Sequence, residues 1–348
     1  MNQKRSFTNR IRFYGFCAAL AVFFVSGWAA HARALADPFI PGAWTKSTDN
    51  PVLTIATPGA WDDQYTFAPS VLLDGTTYKM WYAGSSTSST IRKIGYAISP
   101  DGTTWTRQGS SPVLIPGSTG SWDAGHVSFP SVMKDGDTYK MWYTGLDASD
   151  IGKVGYATSP DGFTWTKYIG NPVLTIGTGN SWDSVYVGAA NVIKVGSSYY
   201  MWYRGGLNGG IGYATSPDGI TWTKDVNNPV IANGSGGWDH YAYHPRVLYD
   251  GTVFHMWYSG GDPTGNLSQV GYAISSDGAH WTRKGMVLPQ GTAGAWDGES
   301  ADHAAVLQVD STLKMWYSGF NGTSYQIGYA SAEATILNHK IFLPAMVR

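Results

Sequence analysis

The sequence predicts an all-β fold: a five-bladed β-propeller of four-stranded antiparallel blades, its ring closed by an N-terminal strand that completes the last blade. Three observations predict it. A unit of roughly 60 residues recurs five times, the tryptophans keep to three positions of that unit, and a fragment missing from the last unit stands at the start of the chain.

The first landmark of the unit is Trp-Asp, at Trp61-Asp62, Trp122-Asp123, Trp182-Asp183, Trp238-Asp239 and Trp296-Asp297. The second is Met-Trp-Tyr-x-Gly, with its tryptophan at Trp81, Trp142, Trp202, Trp257 and Trp316. The third is Gly-Tyr-Ala, which begins at Gly95, Gly155, Gly212, Gly271 and Gly328. In the first four units it runs on into Asp-Gly-x-x-Trp, ending at Trp105, Trp165, Trp222 and Trp281. The last unit lacks that strand, and Trp44-Thr45-Lys46 supplies the missing piece from the other end of the chain. Recurrent indoles are expected to fill the gaps between blades.

Each unit reads as four strands. In the first, Pro69–Leu72 opens the sheet, Asp74-Gly75 turns the chain, and Tyr78–Tyr82 and Ile94–Ile98 follow. Asp-Gly between β-rich runs marks a hairpin, because glycine accepts the positive φ of a tight turn. The strands are apolar on both sides of the alternation, which suits sheets covered on both faces. The repeated Asp62, Asp123, Asp183, Asp239 and Asp297 are expected to cap backbone amides in turns.

Residues 1–36 read as a secretory signal peptide, with a basic start (Lys4, Arg5, Arg10, Arg12), an apolar run and Ala34-Leu35-Ala36 as a cleavage site. The propeller spans 37–332 and a C-terminal tail 333–348. Loss of residues 1–36 takes the formal charge from −1 to −6 and removes Cys17, the only cysteine, so disulfides are excluded. An acidic, lysine-poor surface argues against nucleic acid. The expectation is a secreted, extracellular monomer with no stable membrane span.

A residue that serves every blade repeats, whereas a functional one appears once. The segments between each Trp-Asp and the first strand, which lead to the mouth of a propeller channel, were therefore compared. Asp63, Gln64, His126, His240, His244, Arg246, Glu299, Asp302 and His303 are singular there, and Arg204 departs from the Ala, Thr or Ser of its column. Glycoside cleavage generally uses two carboxylates, one protonated and one ionised. Glu299, Asp302 and Asp63 are the candidate catalytic carboxylates. His126, His240, His244, Arg246, His303, Gln64 and Arg204 are the candidate substrate-binding side chains. His244, His303 and Asp302 also have the ligand chemistry of a divalent-metal site but lack a helical His-x-x-x-His spacing, so no metal and no cofactor are assigned.

Three stretches carry a family resemblance: Pro69-Ser70-Val71, Tyr78–Gly84 and Ile94–Trp105, each with its later copies. Over residues 44–331 they resemble the five-bladed β-propeller glycoside hydrolase superfamily, which includes families 43, 32, 68 and 130 (arabinanases, invertases, levansucrases and mannoside phosphorylases). The family 43 pattern implies carboxylates at the positions of Ala68, Ser131 and about Gly188, and this chain has none there. The expected function is therefore a carbohydrate-active, glycoside hydrolase-like protein acting on extracellular glycan at the channel mouth. The alternatives are a non-catalytic, lectin-like propeller that has lost those carboxylates, and a structural or protein-binding propeller.

Overall fold

In the computed structural model, residues 43–206, 209–265 and 267–334 are described. The readings of 1–36 as a signal peptide and of the tail beyond Ala334 lie outside them. Every regular element among the described residues is a strand.

After β1 (Thr45–Lys46), the chain forms antiparallel ladders of three long strands and one shorter one. The first is β2 (Tyr65–Asp74), β3 (Thr77–Ser86), β4 (Ser89–Ser99) and β5 (Thr106–Arg107). Next come β6 (His126–Asp135), β7 (Thr138–Leu146), β8 (Gly152–Ser159) and β9 (Thr166–Lys167). The third is β10 (Val187–Val195), β11 (Ser198–Gly205), β12 (Ile211–Ser216) and β13 (Thr223–Lys224). The fourth is β14 (Tyr241–Tyr249), β15 (Phe254–Gly261), β16 (Ser268–Ser275) and β17 (Thr282–Leu288). The last is β18 (Ser300–Val309), β19 (Thr312–Phe320) and β20 (Tyr325–Glu333), and its fourth strand is β1, with Thr45 opposite Ser331 and Lys46 opposite Ala330. The first strands pack side by side in the order β2, β6, β10, β14, β18, and β18 packs against β2.

The repeated residues account for the packing. The Met-Trp-Tyr tryptophans are fully buried. The Trp81 indole donates to Gly162 O of the next ladder at 2.7 Å. Trp142 and Trp202 donate likewise to Gly219 O and Gly278 O, and Trp316 of the last ladder reaches Gly102 O of the first. The Trp-Asp indole lies over the two glycines of its own ladder. A Cβ on Gly95 would fall 2.5 Å from the Tyr82 ring and 2.7 Å from Trp61, so the close approach requires glycine.

The repeated aspartates are not backbone caps, contrary to the expectation. Each carboxylate, buried in all but Asp239, accepts from the tyrosine hydroxyl of its own Met-Trp-Tyr (Tyr82 to Asp62, 2.9 Å) and pairs with the Lys or Arg of the fourth strand. Asp62 takes Arg107, Asp123 takes Lys167, Asp183 takes Lys224 and Asp239 takes Arg283. The last, Asp297, takes Lys46 from β1 at 2.7 Å. A buried carboxylate needs a cation and a donor more than a turn amide does.

Candidate active site

Every first strand bulges at the same place. Its register with the second strand slips between Phe67 and Ser70, Ser128 and Ser131, Gly188 and Asn191, Tyr243 and Arg246, and Asp302 and Ala305. At each slip one residue adopts positive φ: Ala68, Phe129, Ala189, His244 and His303, all between 46° and 51°. These conformations are costly for side-chain-bearing residues, and bulges of this kind re-aim side chains. The five residues meet around a small axial cavity of about 40 Å³.

Three of the five slips are pinned by hydroxyls of the preceding ladder. The amides of Ala68, Ala189 and His303 donate to Ser318 Oγ, Thr144 Oγ1 and Ser259 Oγ at 2.7–3.0 Å. Arg204 occupies the column of those hydroxyls. Its guanidinium lies 5.2 Å from the Tyr186 ring centre and 5.3 Å from that of Tyr243.

Above the throat the rings form a layer. His244 and His303 stack at 3.8 Å, and Phe129 stacks on both, at 5.0 and 5.3 Å. Phe67 meets Phe129, His303 and Tyr325, while Tyr243 stands edge-on to His244. The buried Asp302 carboxylate is hydrogen-bonded to His303 Nδ1. That leaves Nε2 as the ring nitrogen available to a ligand. Burial, His303, Arg204 and Arg92 together hold His244 well below the usual histidine pKa, so it is neutral. Burial and the Asp302 charge push Tyr243 up to about 12.

The expected residues divide accordingly. Asp302, His303, His244 and Arg204 meet at the layer. His126 joins it indirectly, its Nδ1 accepting from the Arg92 amide at 3.0 Å, with its pKa lowered by burial and by Arg92. Arg246 lies deeper, beyond the bulge, and lines the throat instead of the mouth. Among the described residues no hydrogen bond or ion pair joins the three expected carboxylates. Asp63 accepts from the amides of Thr87 and Gly59, which hold its pKa down, and it clasps a loop. Glu299 is exposed, its amide bonded to Phe320 O. Gln64 is tied by its amide to Ser85 O, and His240 packs edge-on to Tyr241. Among the described residues no three His, Cys, Asp or Glu side chains form a metal-holding group.

Arg92, whose guanidinium lies 5.8 Å from the Phe67 ring centre, and Tyr325, which also meets Phe67, join the layer from outside the first-strand segments. Both stand three residues before Gly-Tyr-Ala, where the other units have Gly152, Gly209 and Ser268. That column carried the signal.

A carboxylate–imidazole pair and guanidinium groups stand among aromatic rings on an antiparallel β scaffold, and the family match below makes this a glycoside hydrolase-like, carbohydrate-active protein. A sequence model of glycoside hydrolase family 130, described as beta-1,4-mannooligosaccharide phosphorylase, matches residues 60–247, more than half of the chain. The chain belongs to that family, and thereby to the five-bladed β-propeller superfamily. An uncharacterized protein of Mycobacterium tuberculosis is 28% identical over 228 residues, covering 60% of this chain and 72% of the relative. Among solved structures, one from a study of family 130 mannoside phosphorylases and of hydrolases that target beta-1,2 mannosidic linkages in Candida mannan has TM-score 0.71 at 18% identity, covering 88% of this chain and 98% of that one. A putative glycoside hydrolase from Parabacteroides distasonis has TM-score 0.70 at 17% identity (85% and 98% covered). The beta-1,2-mannobiose phosphorylase of Listeria innocua, in complex with beta-1,2-mannobiose, has TM-score 0.63 at 16% identity (82% and 96% covered).

Proposed function

We propose that this protein is a secreted, five-bladed propeller, closed by β1, that cleaves β-mannosides by phosphorolysis at the channel mouth. The cyclic packing of the first strands and the pairing of β1 with β20 support the closed ring. The basic start, apolar run and Ala34-Leu35-Ala36 support export.

One observation carries the chemistry: the buried Asp302 carboxylate pairs with His303, which stacks on His244, and Arg92 and Arg204 are near enough to His244 to lower its pKa. Hydrolysis ordinarily needs two carboxylates, because water must be activated as well as the leaving oxygen protonated. Phosphate is already a nucleophile, so one proton-carrying pair suffices. The proton held by Asp302 and His303 passes to the glycosidic oxygen. A phosphate oxygen forms the new bond to the anomeric carbon as the old C–O bond breaks, giving mannose 1-phosphate and a shortened sugar. Arg92 and Arg204 hold the phosphate charge, while Phe67, Phe129 and Tyr325 offer faces for the pyranose.

A second reading, a sugar-binding protein without turnover, is favoured by Ala68, Ser131 and Gly188, where the family 43 pattern places carboxylates. Purified protein incubated with β-1,2- and β-1,4-mannooligosaccharides, with and without inorganic phosphate, separates the two. Phosphate-dependent mannose 1-phosphate supports the proposal. Saturable binding without product supports the second reading, and free mannose formed without phosphate makes it a hydrolase.

A further inference from the structure

Below the bulge layer the axis widens into a second cavity of about 600 Å³. First strands of all five ladders wall it mostly with apolar side chains, among them Leu72, Met133, Val192, Leu248 and Leu307; Lys134 and Lys194 also line it but are paired with Asp74 and Asp135, whereas Arg246 is not paired. Arg246 lines both this cavity and the throat above it.

The repeat explains why Arg246 faces the cavity. Its column holds Ser70, Ser131, Asn191, Arg246 and Ala305. The first three accept from the amide of the next ladder's first strand: Val132 to Ser70 Oγ, Val192 to Ser131 Oγ and Val247 to Asn191 Oδ1, at 2.8–3.1 Å. A guanidinium has no acceptor atom and cannot take this part. Among the described residues nothing accepts a hydrogen bond from Arg246, and its Nε is buried without a partner. Burial lowers its pKa to about 10, and no acidic neighbour offsets the loss. A cation left so is costly, and an anion beside it removes most of the cost.

We propose that this cavity binds a straight-chain aliphatic carboxylate, its head group on the Arg246 guanidinium and its tail along the apolar wall. Cavities of about 300–1,000 Å³ enclose ligands of that size, apolar along most of their surface with one fixed polar anchor. The planar guanidinium matches a carboxylate in two parallel hydrogen bonds. The Phe129, His244 and His303 rings stand between this cavity and the mouth, so the site is distinct from the sugar site and does not rest on the mannoside reading. A free inorganic anion would satisfy Arg246 but leave the apolar walls without a partner.

Calorimetry on the full chain tests the proposal, with decanoate, decan-1-ol, acetate and inorganic phosphate as probes. Decanoate is expected to bind saturably, one per chain, at least about tenfold more tightly than decan-1-ol or acetate, since a hydrogen bond to a charged group is at stake. Arg246→Met is expected to lose decanoate binding while folding normally, because an apolar residue of similar length replaces an unpaired charge. Leu307→Trp fills the cavity without touching Arg246 and is expected to weaken decanoate binding too; it decides the matter if Arg246→Met fails to fold. Equal affinity for decan-1-ol and decanoate, phosphate binding as tight as decanoate, or binding unchanged in the variants overturns the proposal. Decanoate binding that appears only when the chain is cut after Ala334 also overturns it, by assigning the cavity to the chain's own C-terminal residues.

Discussion

Two kinds of aspartate in this chain look alike in sequence and differ in surroundings. Asp62 and its repeats are each matched by a tyrosine hydroxyl and a cation, and their charge is neutralised within the ladder. Asp302 has an imidazole instead, at the throat. Asp302→Asn is expected to fold and still bind mannooligosaccharide, but to lower product release by about 10²–10⁴, the usual worth of a positioned proton donor. Initial rates and binding measured on the same preparation check this, and unchanged turnover would remove Asp302 from the mechanism. Gly95 is constrained from the other side. Gly95→Ala pushes a methyl into Tyr82 and Trp61 and is expected to cost about 1–3 kcal/mol or more, read by denaturant titration.

At the scale of elements, four of the five fourth strands are very short: β1, β5, β9 and β13 hold two residues each, whereas β17 has seven. Few backbone hydrogen bonds hold them, so the Lys or Arg that each sends to the buried aspartate weighs heavily. Lys46→Met leaves Asp297 with Tyr317 alone, and about 1–3 kcal/mol of stability should be lost. Arg107→Met should cost a similar amount in the first ladder. A negligible loss for Lys46→Met beside a clear one for Arg107→Met would mean that β1 contributes little to the last ladder. The bulges are a second element-level device. Ser259→Ala removes the hydroxyl that holds the His303 amide and is expected to reduce turnover more than stability, because it loosens the ring that carries the proton.

For the whole molecule, the pairing of β1 with β20 joins the first described strand to the last. A chain beginning at Asp49 lacks β1 and is expected to melt well below one beginning at Ala43, with the last ladder losing hydrogen-exchange protection first. Equal melting temperatures would show that the β1–β20 pairing carries no stability. Acid stability has a stated direction. Asp161 and Asp218 are held at about 2 by turn amides, foremost those of Thr164 and Thr221. Asp74 and Asp135, although burial opposes it, are held below the usual range by lysine and tyrosine donors. These folded-state values lie below the unfolded ones. Their contribution is therefore complete above about pH 4 and is lost as the pH falls toward 2. Unfolding free energy measured from pH 7 downward should begin to fall below about pH 6.5, where the unfolded chain protonates His244 and His126 and the folded one resists it, and should drop further below about pH 4 as these carboxylates protonate; a profile level down to pH 4 would show that the two histidines are protonated in the folded protein.

The repeat in the sequence determined the strand order, the turns, the place of every tryptophan among the described residues and the partner of the last ladder. Each of these rests on contacts made in every unit, so the residue types recur at a constant spacing. The site was legible only in part. Asp302, His303, His244 and Arg204 stand out because they break their columns. The same singularity marks Asp63, whose carboxylate accepts from loop amides, and the exposed Glu299, while Arg92 stands in a different segment of the unit. Tertiary structure alone decided which singular residues meet. In a strand the side chain of each residue faces opposite to its neighbour's, and a bulge with positive φ resets that alternation. A slip in register that the sequence does not announce is what sends His244 and His303 into the ring layer and leaves Arg246 beneath it.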